Sequence, residues 1–326
     1  MTIKAKKRLV IVLSIVLVLI IGVFAGVNLY ADSLLNRMGR TDAFNNDDVY
    51  SYESNRNVDN IALLGIDADE GSGARSDVMK IISLDFDNGK IKISSIQRDN
   101  IVYQPLMDRY EKLNHAYWRS GVQGTLSSIN YNFDLDVTQY VLFDFDSVEE
   151  IVDILGGVDI ELSASEAGYL GLGSAGTYHL DGAQTLSFSR IRSVDSDYER
   201  MSRQNRVIDA LISSLKDRSP IDLLNIVDDV LPYIETNLSN GAIKSYVTRL
   251  LGFDLSNIEQ YQFPKDGYES QLTSLTLYGY SPQYVLKDFS GEVESLHRFI
   301  YGEDDDYTAS ERVLKVEEDI LDLAGY

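Results

Sequence analysis

The sequence predicts a mixed α/β domain, a central mixed β-sheet flanked by helices, carried behind one N-terminal transmembrane helix. Short apolar runs of strand length alternate with longer segments whose apolar residues recur at helical spacing. Two of the strand-like runs flank Asp87-Asn88-Gly89, and Asn-Gly is a strong hairpin signal. The third observation is Leu9 to Tyr30, 22 residues without a charge. As a helix it would span about 33 Å, enough to cross a bilayer.

Lys4, Lys6, Lys7 and Arg8 precede the apolar run and acidic residues follow from Asp32. The positive-inside rule therefore places residues 1–8 in the cytoplasm, an anchor at 9–30, and the rest outside the cell. A cleaved signal peptide is the alternative, with Ala25 and Ala31 as small residues near its end, but the apolar run is long for one. Residues 31–57, rich in Asn, Asp and Ser, read as a stalk. The chain has no cysteine, so disulfides, a thiol nucleophile and a cysteine-linked lipid are excluded. An extracellular domain without disulfides suits a Gram-positive-type envelope. The net charge of -22 argues against nucleic acid as a partner.

Within the domain, taken as 58–302, Asn60–Gly65 is a central strand, and Val78–Leu84 and Lys90–Ile96 form the hairpin. A helix follows over Gly124–Asn132. Gln139–Phe145 is a strand, Ser147–Leu155 a helix, and Val158–Leu162 a strand after Gly156-Gly157. Helices are expected at Ala183–Phe188, 197–216, 221–234 and 240–251, a strand at Ile258–Phe263 and a helix at Phe289–Tyr301. Residues 303–326 carry nine acids and two bases from Gly302 onward and read as a solvated acidic tail with a short surface helix at 309–323.

The segment Arg190 to Arg206 packs five arginines into 17 residues of this acidic chain. Arginine's planar fork binds phosphate or carboxylate in two places and keeps its charge. Ser196 and Glu199 fit a capping box, so a helix starts there. Met201, Ile208, Leu211, Ile212 and Leu215 fall on one stripe, and Asp197, Arg200 and Gln204 continue it toward the N-terminus. A face that is polar at its start and apolar afterwards points Arg200 at an inward anion site, whereas Arg206 reads as surface.

Two more segments put charge at strand ends, where α/β folds keep their sites. Gly65 to Asp77 leaves a strand through a glycine-rich loop and delivers Arg75, Ser76 and Asp77. Asp67 and Asp77 could together hold a hard cation such as Mg²⁺, with substrate phosphates completing its shell; Asp69 and Glu70 read as turn residues. Arg98 and Asp99 follow the hairpin's return strand, and Lys112 comes soon after. His115 is as easily a packed structural residue as a participant. G-x-S-x-G, H-E-x-x-H and Walker A motifs are missing. Arginine with aspartate is the equipment of phosphoryl transfer.

In order, these segments resemble the LytR-CpsA-Psr family of cell-envelope proteins from about Asn60 to Tyr301. The carriers are Gly-x-Asp with Arg75-Ser76-Asp77, S-I-Q-R-D from Ser95, K-L-N-H-A-Y from Lys112, L-G-G-V-D from Leu155, L-D-G-A-Q-T-L-S-F-S-R-I-R to Arg192, and D-Y-E-R-M-S-R-Q from Asp197. The resemblance implies a membrane-anchored glycopolymer phosphotransferase. It would move a glycan phosphate (wall teichoic acid, capsule or another secondary polymer) from a polyprenyl-pyrophosphate carrier to peptidoglycan. It further implies a domain enclosing the polyprenyl tail. The pyrophosphate would lie on Arg75, Arg98, Lys112, Arg190, Arg192, Arg200, Arg203 and Gln204, with Mg²⁺ (or Mn²⁺) on Asp67 and Asp77. Asp77, Arg98, Arg192 and Asp197 would serve catalysis, and Asp77, Asp99 and Asp197 are the candidate bases. The chain departs from the family in lacking an arginine shortly after Asp67, in having Gln97 where a proline usually precedes Arg-Asp, and in a shorter stretch from Arg192 to Asp197. Two rival functions are a polyprenyl-pyrophosphate hydrolase and a non-catalytic surface protein that binds carrier lipid or wall polymer.

Overall fold

The computed structural model describes residues 31–33, 35–40, 52, 54, 56–67, 73–191, 197–215, 218, 222, 226, 229–250, 253, 258–265 and 272–326, and the expected anchor at 9–30 lies outside them. Among the described residues no helix is long and apolar enough to cross a membrane. The strands are β1 (Gly39–Arg40), β2 (Val58–Asp67), β3 (Arg75–Asp85), β4 (Lys90–Ile96), β5 (Ile101–Gln104), β6 (Arg109–Lys112), β7 (Gln139–Asp144), β8 (Val158–Leu162), β9 (Gly176–Leu180), β10 (Glu235–Thr236), β11 (Ile258–Phe263), β12 (Leu272–Leu277) and β13 (Tyr280–Leu286). The helices are α1 (His115–Phe133), α2 (Phe145–Leu155), α3 (Ala164–Tyr169), α4 (Gly182–Ser189), α5 (Asp197–Leu215), α6 (Asn240–Leu250), α7 (Phe289–Tyr301) and α8 (Glu311–Ala324).

Seven strands form one mixed sheet in the order β1-β10-β7-β2-β3-β4-β11. β2, β3 and β4 run antiparallel to their neighbours in this trio, while β7 lies parallel to β2 and β11 parallel to β4. The predicted hairpin forms. Asp85 pairs with Lys90 across a four-residue turn, where Asp85 accepts a bond from the Asn88 backbone N–H and Gly89 takes a φ of 62°.

Alternation along the strands splits the sheet into two faces. Ala62, Leu64, Met79, Ile81 and Ile96 share a core with α1, α7 and α8. In α7, Phe289, Val293, Leu296 and Ile300 recur at intervals of four, three and four, and all are buried against this core. On the other face Val78 packs with Val148 and Val152 of α2, Leu186 and Phe188 of α4, and Val207 and Ala210 of α5. Asp144 caps α2 by accepting from the Ser147 N–H, and Gly156 ends it at a φ of 81°.

Several elements differ from expectation. α1 starts nine residues earlier than Gly124 and is interrupted at Ser120 and Gly121. β5, β6, β9 and the β12–β13 hairpin are too short or too polar to show a clear period. Residues 303–326 are not simply solvated: Val313, Val316 and Ile320 of α8 join the main core, and Arg312 and Tyr307 bind Asp134. Acidic composition hid a three-residue apolar seam. At the other end, Leu35 and Met38, read as stalk, pack with Leu231, and β1 pairs with β10. α5 begins at Asp197 as expected, with Ser196 outside the described residues. Its buried face runs through Arg203, Gln204, Val207 and Ala210, rotated by about one residue from the expected stripe.

Candidate active site

The charged residues gather at one edge of the sheet. β2 and β7 end there, β3 begins there, and β4 returns there. Asp67 faces Arg75 across the β2–β3 ladder. The ladder then slips, because Ile66 pairs with Ser76 while Gly65 pairs with Val78. Asp77 is the extra residue of this bulge, and a bulge re-aims the side chain it carries. Asp77 accepts a hydrogen bond from the Arg98 guanidinium, and Arg98 Nε also reaches Asp99 Oδ2 at 3.2 Å. Lys112 Nζ lies 2.6 Å from the other oxygen of Asp99. Four residues named from sequence, Asp77, Arg98, Asp99 and Lys112, thus form one chain of alternating charge.

Backbone bonds set this chain in place. The Gln97 N–H donates to the Phe263 carbonyl at 3.0 Å, and the Tyr284 N–H to the Asp99 carbonyl at 3.0 Å. The Asn114 N–H donates to the Arg98 carbonyl at 3.0 Å, which ties K-L-N-H-A-Y to Arg98-Asp99. Arg75 lies at the head of β3, with its guanidinium carbon 5.5 Å from the centroid of the Trp118 ring.

The described parts of the arginine-rich segment flank the cluster that holds Val78. Arg190 ends α4, its N–H bonded to the Leu186 and Ser187 carbonyls, and its side chain is half-buried. The neighbouring Ile191 shares a core cluster with Val78, the residue after Asp77. Arg192 lies outside the described residues. For Asp67, Asp197 and Arg200 the backbone alone is described, in β2 and α5. Gln204 is 7% exposed.

Arg203 is fully buried. It donates to the Ile191 carbonyl at 2.9 Å and lies 3.5 Å from Glu166 Oε1. Arg206, read as surface, also binds Glu166, donates to the Glu161 carbonyl at 2.7 Å, and covers the Phe188 ring. It points inward because Glu166, in the capping box of α3, is a buried carboxylate that needs cations. Glu166 sits far away in sequence and nothing local marks it.

Sequence reasoning also passed over Glu111, Trp118 and Arg119, where Arg119 bridges the other two. His115 is buried there, with Nδ1 2.7 Å from Glu111 Oε1. Burial lowers the His115 pKa, and the Glu111 carboxylate only partly offsets this. The ring is therefore neutral near pH 7. As for a metal, the described residues contain no group of three or more carboxylate, histidine or cysteine ligands. Asp67 ends the β2–β3 ladder and Asp77 lies two residues beyond its partner Arg75, already engaged by Arg98.

The LytR_cpsA_psr family model matches residues 26–288. The polyisoprenyl-teichoic acid–peptidoglycan teichoic acid transferase TagU of Bacillus cereus (strain AH820) is 29% identical over 263 residues, 77% of this chain and 83% of that protein. TagU of Halalkalibacterium halodurans is 29% identical over 307 residues, 89% of this chain and 98% of that protein. The structure of TagT bound to LIIa-WTA superposes with a TM-score of 0.58 at 23% identity, covering 77% of this chain and 94% of that one. Protein gbs0355 from Streptococcus agalactiae superposes with a TM-score of 0.63 at 22% identity, covering 82% and 96%. These structures share the fold. With its family model spanning most of the sequence, the chain belongs to the LytR-CpsA-Psr family.

Proposed function

We propose that this protein transfers a glycan phosphate from a polyprenyl-pyrophosphate carrier to peptidoglycan. The observation that carries the reading is the convergence of Arg75, Arg98 and Lys112 with Asp77 and Asp99 at one sheet edge. From that edge toward the β3–β4 turn, the sheet face that carries Val78 offers Leu63, Ile82, Ile91 and Val141, apolar yet only half-buried. An anion-binding rim next to an incompletely covered apolar face suits a lipid whose head is a pyrophosphate. Relatives named as teichoic acid transferases support transfer as the outcome.

The acceptor hydroxyl oxygen attacks the phosphorus that carries the glycan. The bond from that phosphorus to the bridging oxygen breaks, polyprenyl phosphate leaves, and the acceptor proton passes to a carboxylate, from among Asp77, Asp99 and Asp197. Arg75, Arg98 and Lys112, joined by Arg190, Arg192 and Arg200, neutralise charge on the pyrophosphate and on the leaving group, and the Gln204 amide donates a neutral hydrogen bond. Arg203, enclosed by Glu166 and the Ile191 carbonyl, holds the segment that bears Arg192. Asp67 and Asp77 would hold Mg²⁺, which when bound adds charge neutralisation. The catalytic domain stands outside the cell behind the 9–30 anchor.

The experiment is binding of farnesyl pyrophosphate to residues 31–326. Removing a charge-assisted contact costs about 1.5–3 kcal/mol, so Arg75→Ala and Arg98→Ala should each weaken binding roughly 10- to 150-fold. Unchanged affinity in both variants would remove the strand-edge cations from the site.

A further inference from the structure

Arg75 differs from its neighbours. Arg98 and Lys112 are held by aspartates, whereas the Arg75 guanidinium stands over an indole, that of Trp118. Its Nε is buried without a hydrogen bond. What fixes Trp118 therefore fixes Arg75.

Trp118, the only tryptophan in the chain, is gripped from three sides. The Arg119 guanidinium carbon stands 3.9 Å from the ring centroid. The His115 ring meets it edge-on at 5.5 Å. The loop leading to Arg75 closes directly on it, since a Cβ on Gly73 would come 2.3 Å from the indole. Both the arginine and the histidine are anchored on one carboxylate. Glu111 Oε1 accepts from Arg119 at 3.3 Å and from His115 at 2.7 Å, while Arg109 lies 3.0 Å from Oε2. Glu111 is 0% exposed and directly precedes Lys112. Burial pushes its carboxyl up, but the bonds from His115 and Arg119 prevail and hold it below the ordinary range. It is a carboxylate near pH 7, and the His115 Nδ1 carries the shared proton.

We propose that Glu111 is a positioning residue for Arg75: through Arg119, His115 and Trp118 it holds that guanidinium where it meets the substrate's phosphates. The proposal rests on the pyrophosphate reading above. Glu111 touches no substrate. Replacing it with glutamine keeps its shape but removes the charge that anchors Arg119, so Trp118 loses its brace and Arg75 its seat.

The test is a double-mutant cycle read by farnesyl pyrophosphate binding and by the emission of Trp118. In the wild type, binding should shift that emission. Glu111→Gln should weaken binding on the order of tenfold, as expected of directly coupled neighbours, and should diminish the emission shift. In an Arg75→Ala background the same change should have little further effect. Arg119→Gln, at a residue 25% exposed in its side chain, should reproduce the phenotype and serves if Glu111→Gln fails to fold. Equal loss with and without Arg75, or no loss in either variant, overturns the positioning role. A wild type that binds no probe instead overturns the pyrophosphate reading, and the positioning role with it.

Discussion

Lys80 offers a stability prediction whose size follows from its surroundings. It sits on β3 two residues beyond Val78, 2% exposed, with Nζ 2.7 Å from Ser95 Oγ. Burial pushes its pKa down from 10.5 to about 7, and the Asp209 carboxylate of α5 only partly resists. At about 1.36 kcal/mol per unit, holding the charged form inside the fold costs about 5 kcal/mol. The sign follows from linkage. Between pH 7 and 10.5 the unfolded chain binds more protons at this site than the folded one, so stability rises with pH through that window. Below pH 7 both states are charged and the full penalty applies; at pH 9 about 2 kcal/mol remains. Lys80→Met should therefore stabilise the domain more at pH 6 than at pH 9, by a difference of about 3 kcal/mol. The lost Ser95 bond lowers both values equally and cancels in the difference. Urea unfolding of residues 31–326 at the two pH values measures this. An equal effect at pH 6 and pH 9 would refute the reasoning.

Other expectations concern the ion pairs, the C-terminal helix and the metal. Arg203→Ala leaves Glu166 short of a partner in the interior and should cost about 3–5 kcal/mol in unfolding experiments, whereas Arg192→Ala should abolish most transfer while leaving the melting temperature nearly unchanged. Ile320→Ala in α8 should destabilise the whole domain by about 2–5 kcal/mol; a value near zero in the same denaturation assay would mean that the helix is peripheral. Asp77→Ala should remove most transfer, and EDTA should inhibit the wild type until Mg²⁺ is added. Full activity in EDTA would eliminate the metal. On sealed protoplasts, residues 31–326 should be open to added protease, and protection would contradict the extracellular topology.

Much of the fold was legible because its strongest signals are local. The β3–β4 hairpin announces itself through Asn88-Gly89, and α7 through a strict apolar spacing from Phe289 to Ile300. Asp77, Arg98 and Lys112 were legible as neighbours at one sheet edge because they stand near strand ends, a position that follows from where each apolar run stops. Partnerships over long sequence distance were not legible. Arg206 reads as surface until Glu166 is placed 40 residues away. Arg203 and Arg200 carry the same chemistry in sequence, and only packing shows that Arg203 is enclosed. Glu111 was hidden by its neighbour Lys112, since one carboxylate beside a lysine in a polar strand suggests a solvated pair. The seam of α8 was masked by the acids around it, although Val313, Val316 and Ile320 keep helical spacing.

The most direct measurement is an in vitro reaction of residues 31–326 with a lipid-linked glycan donor, Mg²⁺ and a peptidoglycan oligomer, with every phosphorus-containing product followed. Transfer should yield peptidoglycan bearing the glycan through a phosphodiester, together with polyprenyl phosphate in equal amount, and Arg98→Ala should suppress both. Free glycan phosphate at the same rate with and without peptidoglycan would make the protein a hydrolase. Donor bound but unchanged would make it a carrier-lipid binding protein. Either result would contradict the transferase reading.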